Sequence, residues 1–284
     1  MNRFLLIGLL LLGSLCPALA QRLVTQTARL AAGQGVFLDL KFARSIRVRP
    51  GADFSVQAQV SINGNQNNDL YSLALEDASA EVRVVEKLDE TQLRQTTYAG
   101  DCDGGSFNSG SDGVNVSRSR SGQASGRRGH YTYNYCARID YDVTLPAGTA
   151  LRLTTISGNL DVSGLRGAIT ANTISGNMVL QALAGAVAVR SVSGNVKLSD
   201  VGRATVEAKS VSGNVDLSWP AAQAATLALH TVSGEVYADP AVTFSNLKPH
   251  SNVGYQLHGS YGTGAGPAVT LESVSGDVFF RKQP

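Results

Sequence analysis

The chain has 284 residues, with 24 Lys and Arg against 22 Asp and Glu for a formal net charge of +2, and it holds 30 glycines but one tryptophan. This near-neutral balance excludes the strong basic excess of a nucleic-acid binder. Abundant glycine and only 6% aromatic residues favour a thin, repetitive β architecture over a globular α/β enzyme.

The first twenty residues read as an export signal. Arg3 supplies the positive start, Phe4 to Leu15 an apolar run, and Ala18-Leu19-Ala20 a cleavage site that leaves Gln21 as the first mature residue. The run is shorter than the roughly 20 apolar residues that span a bilayer, and no second apolar segment follows. The expectation is an exported mature chain, in the periplasm, at the cell surface or secreted, without a transmembrane segment. Cys16 raises a lipoprotein alternative, which the large Leu15 before it opposes.

Residues 21–145 read as an N-terminal β region that caps or continues the repetitive C-terminal half of the chain. "GVFLDLKF", "SIRVRP", "DFSVQAQVSI", "YSLALED" and "EVRVVEKL" all alternate, with turns at Pro50-Gly51 and Asn63-Gly64. Loss of Cys16 with the signal leaves Cys102 and Cys136, and an even pair in an exported chain reads as a disulfide. Closing the 102–136 loop should stabilise the fold by roughly 3–4 kcal/mol in the chain-entropy view. Its Arg118, Arg120, Arg127 and Arg128 read as a solvated loop rather than a polyanion contact. "DCDGGSFNSGSDG" lacks the ordered ligand positions of a calcium loop.

From residue 146 to 284 the chain repeats itself. Ser157-Gly158-Asn159, Ser175-Gly176-Asn177, Ser193-Gly194-Asn195 and Ser212-Gly213-Asn214 are followed by the variants Ser233-Gly234-Glu235 and Ser275-Gly276-Asp277. Successive glycines lie 18, 18, 19, 21 and 42 residues apart. The last interval suggests a degenerate coil within "SNLKPHSNVGYQLHGSYGTGAG". Strict alternation flanks each turn, as in Val187-x-Val189-x-Ser191 before it and Val196-x-Leu198 after it, so the repeats are strands. A period near twenty in strands predicts an all-β, single-chain β-solenoid, parallel β-helix-like, with coils of 18–21 residues.

The apolar parity slips by one between each hydroxyl position (Thr155, Thr173, Ser191, Ser210, Thr231, Ser273) and the following aliphatic residue. If both halves face inward, the chain bends at the hydroxyl, which can bond a freed backbone group. Stacking then aligns the glycines in a column without side chains and the asparagines in a ladder. Connections should be right-handed, and Arg281, Lys282, Gln283 and Pro284 would blunt an open edge.

The run of "TISGN" and "SVSGN" coils behind an "LPAG" turn and an export signal resembles the bacterial putative-adhesin family of unknown function. The likeness is close over about residues 140–284 and looser over 34–100. It implies a β-solenoid in an exported envelope or surface protein, and it brings no catalytic residues to carry over.

The functional expectation is therefore a non-enzymatic, adhesin-like structural or binding module of the cell envelope, without cofactor or metal, whose partner is an unknown envelope protein or polysaccharide. The alternatives are a polysaccharide-active enzyme on a β-helix, or an envelope-stress interaction protein. Enzyme chemistry would need converging carboxylates or a metal. Asp161 and Asp216 share a column three rungs apart, Asp200 stands alone in a turn, and His130, His230, His250 and His258 have no ligand spacing. Six copies of one serine cannot all be nucleophiles. The outward positions Asp161, Val179, Lys197, Asp216, Tyr237 and Phe279 make no uniform stripe.

Overall fold

The computed structural model describes residues 21–98, 102, 135–202, 204–246 and 254–283, and the backbone of 105–109 and 114–117. The leader with Cys16, the loop arginines 118, 120, 127 and 128, His130, His250 and Pro284 lie outside the described residues.

Alternation is what makes the strands. In each coil the first strand points two aliphatic residues and a hydroxyl inward, as with Val187, Val189 and Ser191, and the second points in residues such as Val196 and Leu198; all are buried. Neither strand can satisfy its backbone alone, so each coil needs a neighbour on both sides. The result is two sheets, of twelve and eleven strands among the described residues, facing each other across one apolar core.

Each repeat gives one strand to each sheet. The first sheet runs in the order Val242–Phe244, Tyr255–Tyr261, Ala225–Thr231, Ala268–Ser275, Val206–Ser212, Val187–Ser193, Ile169–Ser175, Leu151–Ser157, Gly35–Asp39, Glu81–Leu88, Tyr71–Asp77. The second runs Arg22–Ala28, Phe54–Ile62, Tyr135–Leu145, Ser45–Pro50, Asn159–Ser163, Met178–Leu183, Val196–Val201, Val215–Trp219, Val278–Lys282, Val236–Ala238, with Gly105–Ser109 on Tyr135–Leu145 and Val114–Ser117 on Gly105–Ser109 as its two strands off this path. Register between coils is parallel and unshifted. Val187 faces Ile169 and Val206, and Val196 faces Met178 and Val215. The β-solenoid predicted from the repeat is the fold.

The N-terminal strands enter the same two sheets. Gly35–Asp39 pairs in parallel with Leu151–Ser157, and Ser45–Pro50 with Asn159–Ser163. Antiparallel pairs then complete that end, Phe54–Ile62 on Tyr135–Leu145 and Tyr71–Asp77 on Glu81–Leu88.

Three expectations need correction. The bend does not bring the aliphatic residues inward. Thr173, Ser191 and Ser210 are buried, whereas Ile174, Val192 and Val211 are 53%, 50% and 49% exposed. One parity therefore holds from Ile169 through Thr173, the aliphatic residue points out, and the chain turns into the second sheet at the glycine.

Second, the 42-residue interval holds no degenerate coil among the described residues. Residues 255–261 form a strand antiparallel to Ala225–Thr231, closing that sheet with Val242–Phe244. The C-terminal coil instead lies between two coils that are consecutive in sequence: Ala268–Ser275 pairs with Val206–Ser212 on one side and Ala225–Thr231 on the other.

Third, Arg281 and Lys282 do not lie in the outermost strand. Their strand sits between Val215–Trp219 and Val236–Ala238; pairing with the latter stops at Phe280, so Arg281 and Lys282 border an open edge only past it, and the outermost strand is the three-residue one. A very short edge strand is itself a guard against further pairing.

Candidate interaction surface

The SGN corner is built from three columns with separate tasks. The glycine lets coils approach. At Gly194 φ is +146°, and a Cβ there would lie 2.1 Å from the carbonyl oxygen of Gly176, closer than any side chain tolerates. The residue after it ties rung to rung. Asn159 Oδ1 accepts from the backbone N–H of Asn177 at 3.1 Å, Asn177 from Asn195 at 3.0 Å, and Asn195 from Asn214 at 2.8 Å. The ladder runs side chain to backbone, and it follows spatial rather than sequence order. Asn214 accepts from Asp277 N–H and Asp277 from Glu235 N–H, each at 2.9 Å. Asp277 replaces asparagine without loss because only the acceptor oxygen is used.

The buried hydroxyls form the second column. Ser210, Ser273 and Thr231 donate to the carbonyl oxygens of Gly194, Gly213 and Gly276 at 3.1, 2.9 and 2.8 Å, as expected for hydroxyls near a turn. Thr155, Thr173 and Ser191 have no hydrogen-bond partner among the described residues.

The third column faces outward. Ile156, Ile174, Val192, Val211 and Val274 succeed one another along the first sheet, and backbone pairing skips this position and resumes at the following serine. Beside them stand Thr154, Asn172, Arg190, Lys209 and Glu272. Between the two columns lies an open trough of about 420 Å³. Its charges are partly tied together: Arg190 pairs with Glu207 at 3.0 Å, and Lys209 with Glu207 and Glu272 at 3.3 and 3.1 Å. The first pairing holds the Glu207 carboxyl below its usual range, and Glu272 holds the Lys209 ammonium above its own.

The other candidates are scattered. Asp161 is held by Arg49 at 2.6 Å, and Asp216 lies 3.5 Å from Arg281 three rungs away. Asp200 is exposed, His230 is 3.7 Å from Glu272, and His258 pairs in the antiparallel cap. Among the described residues no group of three His, Cys, Asp or Glu could hold a metal ion. On the second sheet Tyr237 stacks on Phe279 at 4.9 Å, with Arg281 over the Phe279 ring. Cys102 and Cys136 are joined, with Cα atoms 5.9 Å apart. The Cys136 N–H donates to Asn63 Oδ1 at 2.8 Å, so the loop is anchored on the turn after Phe54–Ile62.

Two features escaped the sequence. One is the outward aliphatic column, whose signal was present: unbroken alternation from Ile169 to Thr173 already put Ile174 outside. The other is a buried polar cluster in the N-terminal core. The Tyr141 hydroxyl donates to Glu86, the Phe42 N–H donates to the other Glu86 oxygen, and the Tyr71 and Tyr141 hydroxyls lie 2.8 Å apart. Burial is the main cause that raises the Glu86 carboxyl to about 7 and pushes both tyrosines up. Nothing in the strand patterns announces this cluster, because Glu86 and Tyr141 meet across 55 residues. Glu86 is 7% exposed and both tyrosines 1%, so a substrate has no access and the cluster is part of the core.

Among the described residues no helix is long and apolar enough to cross a membrane. No curated protein matches the chain. A solved structure from Clostridium sporogenes, described as a "putative cell adhesion protein", aligns with a TM-score of 0.52 at 12% identity, over 93% of this chain and 100% of that one. A second, a "putative adhesin" from Bacteroides fragilis, aligns at 13% identity with a TM-score of 0.41, over 93% and 98%. The first likeness supports the same fold. The sequence itself matches Toastrack DUF4097 over residues 52–280, and the chain belongs to that family.

Proposed function

We propose that this chain is an exported, non-enzymatic binding protein of the cell envelope, whose rigid β-solenoid presents one sheet face to an envelope protein or polysaccharide. The observation that carries this reading is the uncovered column from Ile156 to Val274. A contiguous exposed apolar stripe on a well-packed sheet costs solubility and is kept where something docks. The disulfide supports an oxidising compartment, since such bonds persist outside the cytosol. The Clostridium structure's description supports a surface role. Division into an N-terminal β region over 21–145 and the repeat over 146–284 belongs to the same reading.

Retention on envelope fractions tests it. Immobilised protein should enrich a component that an Ile174→Asp/Val192→Asp variant loses and a Lys197→Asp variant, altered on the other sheet, keeps. Equal enrichment by all three would refute the reading. So would turnover of pectin, alginate or peptidoglycan by contaminant-free protein.

A further inference from the structure

We infer that Glu86, Tyr141 and Tyr71 form a pH-operated latch at the N-terminal end of the solenoid: with Glu86 neutral the outermost strand of the first sheet, Tyr71–Asp77, is held shut, and ionisation of Glu86 frees that strand to open. The device is built from core residues at the N-terminal end and is independent of the binding reading.

Position singles out Glu86. In Glu81–Leu88 the inward positions are Val82, Val84 and Glu86, all buried, so the alternation that puts two valines in the core puts a carboxyl there too. Tyr141 points in from Tyr135–Leu145 of the opposite sheet. Tyr71 points in from the edge strand, whose only sheet neighbour among the described residues is Glu81–Leu88. The bonds from Tyr71 to Tyr141 and from Tyr141 to Glu86 therefore tie an edge strand across the core to both sheets. Further ties come from Arg22–Ala28, the outermost strand of the second sheet. Arg22 donates to the backbone oxygens of Asn68 and Tyr71 at 2.9 and 3.3 Å, and Gln26 donates to that of Leu73 at 3.0 Å. Leu73 is the residue opposite Glu86 in the strand pairing, so opening Tyr71–Asp77 is the direct way to bring water to the carboxyl.

The surrounding charges set the direction of the switch. Glu86 feels Asp39 and Lys41 from the strand beside it and the segment that follows, Tyr141 from the opposite sheet, and Tyr71, itself under the influence of Arg22, from the edge strand. Lys87, next to it in its own strand, is exposed. The cations are engaged elsewhere: Arg83 holds Asp39 at 2.8 Å, Arg22 holds backbone oxygens, and Lys41 is exposed. An ionised Glu86 keeps its bonds from the Phe42 N–H and the Tyr141 hydroxyl, but its charge stays in the core without a paired cation, which is costly. Opening the strand hydrates it. Burial, the main cause, raises the carboxyl from 4.5 to about 7, and it pushes both tyrosines up. The tyrosines thus stay protonated across this range and act only through their hydrogen bonds. The closed form holds the Glu86 proton more tightly than the open form, so closure is complete below about pH 4.5 and weakens until about pH 7.

Native-state amide exchange from pH 4 to 8, corrected for the intrinsic rate at each pH, tests the latch. The opening constant of the Tyr71–Asp77 amides should rise tenfold per pH unit between 4.5 and about 7, about 300-fold in all, and then level off. The Val187–Ser193 amides should change less than about threefold. Glu86→Gln should abolish the rise. Tyr71→Phe, which cuts the tie to Tyr141 and leaves Glu86 in place, should raise opening about fivefold at pH 4.5, the loss of one hydrogen bond. A flat profile for Tyr71–Asp77 in the parent would overturn the proposal. So would a rise shared equally by Val187–Ser193, which would report unfolding of the whole chain, or a rise that survives Glu86→Gln. The parent profile decides the matter even if Glu86→Gln fails to fold.

Discussion

Between Leu151 and Trp219 every strand pairs with one 18 or 19 residues away, in unshifted register. Between Arg22 and Leu145 the partners are set by different rules: Arg22–Ala28 lies antiparallel on Phe54–Ile62, which lies antiparallel on Tyr135–Leu145 across the disulfide-bounded loop. Both regions bury the same two sheet faces in one core. The repeat does so with identical corner columns, while the N-terminal end relies on side chains brought together from distant segments, such as Glu86, Tyr71 and Tyr141. In the repeat, one local solution serves many times. At the ends, each solution is used once.

That contrast can be broken most severely at the C-terminus. Ending the chain at residue 266 removes both strands of the inserted coil and leaves Val206–Ser212 and Ala225–Thr231 without a shared neighbour. Amide exchange should lose protection throughout 206–261 while the N-terminal strands keep theirs. Uniform protection would mean the inserted coil is dispensable.

A smaller test targets one corner. Gly194→Ala places a methyl group against the Gly176 carbonyl in a left-handed backbone and should cost about 2–4 kcal/mol in denaturant unfolding. Gly148→Ala, where a Cβ meets nothing within 4 Å, should stay within about 0.5 kcal/mol. Equal effects would deny the close approach of coils.

The N-terminal cluster should answer to pH where the repeat does not. Glu86 is raised from 4.5 to about 7 in the folded chain, chiefly by burial. A folded value above the unfolded one means the native state holds the proton more tightly. Its contribution is then complete below about pH 4.5 and is lost as pH rises through about 7. Stability should fall by on the order of 3 kcal/mol across that window, and Glu86→Gln should flatten the fall. A parent whose stability rises there would contradict this assignment.

The finest comparison is within the hydroxyl column. Ser273→Ala breaks a 2.9 Å bond to Gly213 O and should cost about 1 kcal/mol. Thr173→Val removes a hydroxyl with no partner among the described residues and should cost nothing or stabilise slightly. Equal losses in thermal unfolding would show the two hydroxyls to be equivalent.

The same contrast explains what was legible. Alternation around Ser193-Gly194-Asn195 and its copies identified strands, spacing and register, because each rung's task is local. The destiny of Val192 was misread: a valine beside a turn looks like core, and only the parity of Val187 and Val189 says otherwise. The position of the C-terminal coil was not legible at all. Val269, Leu271 and Ser273 would fit any rung, since equivalent coils are interchangeable neighbours. That end of the first sheet is closed by Tyr255–Tyr261 and Val242–Phe244, an antiparallel cap with no copy among the described residues. Glu86 was missed for the opposite reason, being unique and paired only at long range. For the candidate site, the glycine and asparagine columns sit at close backbone approaches and rung-to-rung hydrogen bonds, and the uncovered face belongs to their neighbours.

The central claim is that coils stack in register with the C-terminal coil between two sequence-consecutive ones, and paired cysteines read this directly. Ser212 and Ser275 face each other in adjacent parallel strands, whereas Ser212 and Ser233 are two rungs apart. Adjacent rungs lie about 4.8 Å apart, within disulfide reach, and two rungs exceed the roughly 7 Å limit. Under mild oxidation Ser212→Cys/Ser275→Cys should crosslink within the chain and Ser212→Cys/Ser233→Cys should not. The reverse outcome would place the two coils in simple sequence order and contradict the fold described.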